Sequence, residues 1–213
     1  MALTHIRSIG QLDDDWTLAP ERWDPRAIIP ADGPLLHTFF RLVTKRVPAR
    51  DIPDHALVLD CGHAVEGVVV TKQSRTPRRP KSTKTSLHAG DVIVSRLRPY
   101  LRQVALIDDA LFHHPDDDAS RPVLCSTEFY VLRQRDSDGP PPACIVPYLL
   151  SIPVQSALLA AQSGGHHPRV PKDVLMSLPW PFDTPAAAIT QAAAVHTKVR
   201  AIRNGFRGLS ALV

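Results

Sequence analysis

Arg96, Arg98 and Arg102, with Tyr100 among them, follow directly on the strand-like run Val92–Ser95. Arginine forks onto phosphate oxygens or onto guanine O6 and N7, so this set suits the gripping of a polyanion. The segment before it, Thr71 to His88, is nearly all basic or hydroxylated. From Thr71 to Arg102 stand Lys72, Arg75, Arg78, Arg79, Lys81, Lys84, Arg96, Arg98 and Arg102 against the single acid Asp91, nine bases to one acid in 32 residues. Acid is segregated elsewhere, in Asp13–Asp15 and Asp116–Asp118. Such a stripe binds phosphates by releasing condensed counterions, or else is a solvated loop whose charge serves only solubility. In a strand Arg96 and Arg98 share a face. Arg98 has a second reading, as an internal ion-pair partner of an acid such as Glu128.

Further along, Ser163-Gly164-Gly165-His166-His167-Pro168-Arg169-Val170 forms a glycine-loosened, cationic turn in which His166, His167 and Arg169 are candidates for phosphate or base contact. Adjacent histidines face different ways on a regular element, so neither His113-His114 nor His166-His167 makes a ready metal site. Cys125 stands three residues before Glu128 without a nearby histidine and reads as a packed core thiol. The chain has no G-x-G-x-x-G, no G-x-x-x-x-G-K-[ST], no G-x-S-x-G, no Asn/Asp-Pro-Pro-Tyr/Phe and no nuclease-type acid followed by Glu-x-Lys. No catalytic residue, metal or cofactor is expected.

Composition sets the frame for these residues. The chain has 213 residues, 44% of them hydrophobic, a net charge of +4 and a pI near 9.2, enough for one sizeable core with an appendage. Cys61, Cys125 and Cys144 are odd in number and widely spaced, so they are expected to be reduced. No apolar run approaches the roughly 18 residues of a membrane span and no charged-then-apolar leader opens the chain. A soluble, cytoplasmic protein is expected.

The elements that must position the basic residues read as follows. Met1 to Asp32, with Trp16 and Trp23, is an entry segment on the domain edge. Phe39–Val43, Ala56–Leu59, Val68–Val70, Val92–Ser95, Val104–Ile107 and Phe129–Leu132 read as strands between turn formers. Thr71 to Leu87 lacks periodicity and reads as one long loop. Ile145 to Ala161 has helical spacing, with Pro147 opening one helix and Pro153 a second. Pro171 to Ser177 is a short helix. Thr184 caps a last helix that Pro185 opens. In it Ala188, Ala192, Val195, Val199, Ile202, Phe206, Leu209 and Val213 recur in steps of four and three, a heptad seam that favours a partner helix over the chain's own domain. At ~1.5 Å per residue its roughly 29 residues make a rod of about 43 Å.

Four segments in register carry a family resemblance. Gly90-Asp91-Val92-Ile93-Val94-Ser95-Arg96-Leu97-Arg98-Pro99-Tyr100-Leu101 resembles the strand-loop motif of target recognition domains in type I restriction-modification specificity subunits. Leu124-Cys125-Ser126-Thr127-Glu128-Phe129-Tyr130-Val131-Leu132-Arg133 is similar to the second strand motif of that family. Pro147-Tyr148-Leu149-Leu150 with Ile152-Pro153 is similar to its helix motif, and Gly164–Val170 with Leu175–Pro181 to its closing loop and exit. The resemblance covers about residues 55 to 213.

The resemblance implies a mixed α/β (α+β) target recognition domain over residues 1–182, followed by a long coiled-coil helix over 183–213 for dimerisation and docking. It implies a non-catalytic specificity subunit of a restriction-modification, phage-defence system that binds double-stranded DNA and directs a DNA adenine methyltransferase subunit and a restriction subunit. The family's full subunit has two recognition domains and two long helices, so one of each implies a half-subunit that homodimerises through Ala192, Val195, Val199, Ile202, Phe206 and Leu209. The family's usual Glu-Glu-Gln is here Ile189-Thr190-Gln191. The alternative from another class is a protein-interaction adaptor whose helix assembles partners and whose basic loop binds an acidic protein surface. A third reading is a nuclease of unrecognised type.

Overall fold

The computed structural model describes residues 33–71, 80–113, 120–165 and 167–210; the entry segment with Trp16 and Trp23 lies outside them. In chain order the elements are α1 (Leu36–Phe39), β1 (Phe40–Leu42), β2 (Arg46–Val47), β3 (Leu57–Leu59), β4 (Ala64–Val65), β5 (Val68–Val69), β6 (Lys84–Ser86), β7 (Val92–Ser95), β8 (Val104–Leu106), β9 (Val123–Ser126), β10 (Phe129–Gln134), α2 (Val146–Leu149), α3 (Ile152–Ala160), α4 (Lys172–Met176) and α5 (Pro185–Ser210).

A central antiparallel sheet runs β1-β10-β7-β8, and a second sheet runs β2-β6-β9-β3, its last pair parallel; β4 and β5 form a small hairpin. The central strands are buried on both faces. In β7, Val92 and Val94 join one core cluster and Ile93 the other; in β8 and just beyond, Val104 and Leu106 divide from Ala105 and Ile107 in the same way. The first cluster lies with the helices and includes Leu36, Phe40, Leu149, Leu158 and Leu175; the second lies with the other sheet and includes Leu59, Val123, Cys125 and Phe129. Period-two side-chain alternation feeding two cores explains why these strands read as unbroken apolar runs.

The two proline-opened helices form as expected, with proline in the first turn of α2 and of α3. No single helix among the described residues is long and apolar enough to cross a membrane.

Two expectations are corrected. The segment Thr71–Leu87 is not one loop, because β6 forms within it and pairs on both sides, with β2 and with β9. Lys-Thr-Ser lacks an apolar pattern, and its strand form comes from the backbone partners that the neighbours supply. The second correction concerns α5. Its start is as expected, with the Ala187 amide donating to Thr184 Oγ1 at 3.2 Å. The first half of its seam faces the chain's own domain rather than a partner helix, however. Ala188, Ala192, Val195 and Val199 are buried in the chain's own first core cluster, with α5 lying on the turn Pro142–Ile145. An apolar stripe at this spacing suits any helix lying on a flat apolar surface. Only from Ile202, 45% exposed, does the seam leave the domain; the side chains of Phe206 and Leu209 and the whole of Val213 lie outside the described residues.

Candidate nucleic-acid interface

Three segments distant in sequence meet at one corner of the central sheet. Strand β7 ends at Ser95, where the Arg96 amide donates to the Glu128 carbonyl at 2.8 Å, and the Val170 amide donates to the Arg96 carbonyl at 2.9 Å. The Tyr130 hydroxyl donates to the Val170 carbonyl at 2.8 Å. Glu128 accepts two hydrogen bonds from Arg169, Nε to Oε2 at 2.9 Å and Nη2 to Oε1 at 2.7 Å. That fork holds the Glu128 carboxyl below the usual carboxylate range, with the Arg169 hydrogen bonds the largest cause. The end of β7, the start of β10 and the Gly164–Val170 loop are thereby one unit. Two backbone bonds between Ser163 and Arg169, at 3.1 and 2.8 Å, close the loop's base, and Gly164 at φ +108 supplies the left-handed backbone that this closure uses.

From this corner projects the segment 96–102. It is not a strand, so Arg96 and Arg98 do not share a face as expected. Ser95 Oγ ends β7 by accepting from the Leu97 amide at 3.2 Å. Arg98 (φ +46) and Arg102 (φ +50) then take left-handed backbone on either side of a 3-10 turn, Pro99–Leu101. Residues other than glycine in that region cost on the order of 1–3 kcal/mol each, and the surroundings hold them there. Pro99 is buried, the Leu101 and Arg102 amides donate to the carbonyls of Arg98 and Pro99 at 2.9 and 2.8 Å, and the turn lies against α3. Arg102 pairs with Glu66 at 3.1 Å, itself left-handed at φ +43.

The sequence candidates separate on this frame. The side chains of Arg98 and Tyr100 are exposed and make no hydrogen bond or ion pair among the described residues, and Lys81 and His167 are also exposed. Arg102 is exposed but shared with Glu66. Arg96 is half-buried, its guanidinium 5.1 Å from the Tyr130 ring centroid, a cation–π distance. One candidate is corrected. Lys84 is buried in β6 with Nζ donating to Ser82 Oγ at 2.9 Å, because it occupies an inner strand. Arg169 forks onto Glu128, the acid weighed as a partner for Arg98, and Arg98 makes no ion pair among the described residues. Lys72, Arg75, Arg78, Arg79 and His166 lie outside the described residues.

Sequence reasoning missed Asp91. It is 1% exposed, accepts both forks of Arg133 at 2.8 and 2.7 Å, and takes the His88 amide at 2.8 Å. This pair fixes the turn that starts β7. Its signal was present, since Asp91 is the lone acid in the basic stripe. Leu101, 45% exposed beside Tyr100, was missed as well.

The thiols are packed rather than reactive. Burial, seconded by the Asp91 charge, pushes Cys125 up to about 12, and burial does the same to Cys144. Cys61, raised chiefly by burial, accepts from Ser95 Oγ at 3.7 Å. Among the described residues no group of three His, Cys, Asp or Glu side chains is placed to hold a metal ion.

No protein-family model matches this sequence, and no curated protein matches it. A chain from a solved structure of a type I R-M system, described for its complex assembly and conformational transition, has a similar backbone. The TM-score is 0.45 at 21% identity, covering 82% of this chain and 44% of that one, so this chain spans less than half of that neighbour's length.

Proposed function

We propose that this chain is a DNA sequence-recognition subunit of the type I restriction-modification kind, non-catalytic in itself, which directs a DNA adenine methyltransferase to its site. The observation that carries the reading is the convergence of three motif segments into one hydrogen-bonded corner. Arg96, Glu128 with Tyr130, and Arg169–Val170 lie far apart in the chain, and together they brace two sets of exposed residues, Arg98 with Tyr100–Arg102, and Gly164, Gly165, His167 and Pro168. Rigid elements carrying exposed cationic loops are what nucleic-acid readout needs, with phosphate contacts for register and loop side chains for bases. In this reading Arg98, Lys81 and the basic residues of 72–79 hold phosphates, while Tyr100 and His167 face the bases.

Duplex binding followed by fluorescence anisotropy tests it. Affinity should fall steeply with salt, and Arg98→Ala should reduce the slope of log K against log salt by about 0.9. An affinity unchanged between low and moderate salt would overturn the reading. The partner is tested by co-purification with an adenine methyltransferase encoded in an adjacent reading frame.

A further inference from the structure

We propose that Tyr100 and Leu101 form a wedge that enters the base stack of bound duplex DNA and unstacks one step. The inference deepens the DNA-recognition reading and rests on it. Among the described residues, Tyr100 and Leu101 are the only adjacent pair of exposed large hydrophobic side chains, at 60% and 45%. They stand at the apex of a 3-10 turn that is held from below by buried Pro99, by its own backbone bonds and by α3. Two arginines bracket them, both in left-handed backbone. Strained backbone that exposes apolar side chains to water is a doubly unfavourable arrangement in the free chain, and such outliers point toward a ligand.

The bracketing charges say which ligand. Apolar side chains alone would suit a protein surface, but here Arg98 is unpaired among the described residues and Arg102 is only shared with an exposed Glu66. A cation on each side of an apolar tip matches a duplex, where phosphates flank the base stack. In a duplex the base faces are covered by their neighbours, so an aromatic and an aliphatic tip bury their area only by parting two bases, as the apolar wedges of kinking proteins do. Arg98 and Arg102 then grip the phosphates on either side of the opened step. The turn is pre-formed, so little ordering is left for binding to accomplish.

The test uses the full chain and a pool of random-sequence 30-base-pair duplexes carried through successive rounds of binding. 2-Aminopurine is then placed at each position in turn of an enriched duplex. The wedge predicts a fluorescence rise at one step on binding, and permanganate reactivity of thymine at the same step. Y100A/L101A should keep the melting temperature of the free protein, lose the fluorescence rise, and bind about ten- to hundredfold more weakly, as expected for lost base stacking. Tyr100→Phe should retain the rise. Tight binding by the unaltered chain with no unstacked step at any position overturns the wedge and leaves DNA recognition standing. So does a Y100A/L101A protein that binds and unstacks normally, which would assign the apolar tip to a protein partner. Failure to retain any duplex at low salt overturns the recognition reading itself.

Discussion

Each arginine near the β7 corner is decided by the acid closest to it. Arg133 and Arg169 face Asp91 and Glu128 in two-point geometry and brace the fold, whereas Arg98 faces none among the described residues. Asp91 is the more deeply buried acid, and removing one partner of such a pair leaves an uncompensated charge. Asp91→Asn should therefore cost about 3–5 kcal/mol, read as a lowered urea midpoint with unchanged slope. The Glu128 pair is half-exposed and acts locally. Because Arg169 lowers the folded-state value of Glu128, its contribution is complete above the ordinary glutamate value of roughly 4.3 and is lost as pH falls through the lowered folded value. Hydrogen-exchange protection of the Arg169 and Val170 amides should thus decline only in that acidic window. Glu128→Gln should abolish the pH dependence, and protection that falls between pH 7 and 5 in the unaltered chain would count against the pair. These acids were readable as residues but not as partners, because sequence order does not say which arginine arrives at which carboxylate.

At the scale of elements, the last helix carries the sharpest difference between pattern and placement. Its 3-4 spacing is equally served by a partner helix and by the surface around Pro142–Ile145, and burial assigns Ala188 to Val199 to the latter. Val195→Ala should then destabilise the monomer by roughly 1–3 kcal/mol through lost burial and a residual cavity. Ile202→Ser should leave stability within about 0.5 kcal/mol. If the helix pairs with a second copy beyond the domain, Ile202→Ser should also weaken self-association in sedimentation equilibrium, while unchanged self-association would remove Ile202 from that contact. Truncation experiments follow the same logic. A chain ending at Gly205 keeps the core and the Arg203–Asp108 ion pair, whereas one ending before Thr184 removes four buried core residues and would confuse unfolding with lost binding. Domain-retained DNA binding after the shorter truncation separates DNA recognition from an adaptor role.

At the scale of the whole molecule, the central sheet buried on both faces makes the corner a rigid mount. Arg98 and Arg102 face outward from that mount while Cys125 and Cys144 lie buried within the domain, so these two thiols should resist a thiol reagent at pH 8 until the chain is unfolded by urea. Labelling of either in the folded state would show that the mount opens. What sequence alone determined is the set of apolar strands, the proline-opened helices, the cap at Thr184 and the cationic segment, since these rest on local propensity, side-chain period and composition. Only the tertiary structure decided that Lys-Thr-Ser is an inner strand, that the seam from Ala188 to Val199 is covered by its own domain, and which arginines are paired with acids. Those outcomes depend on contacts between residues far apart in the chain, Glu128 with Arg169 and Asp91 with Arg133 among them. No local pattern encodes which of several equivalent charges or apolar surfaces will meet.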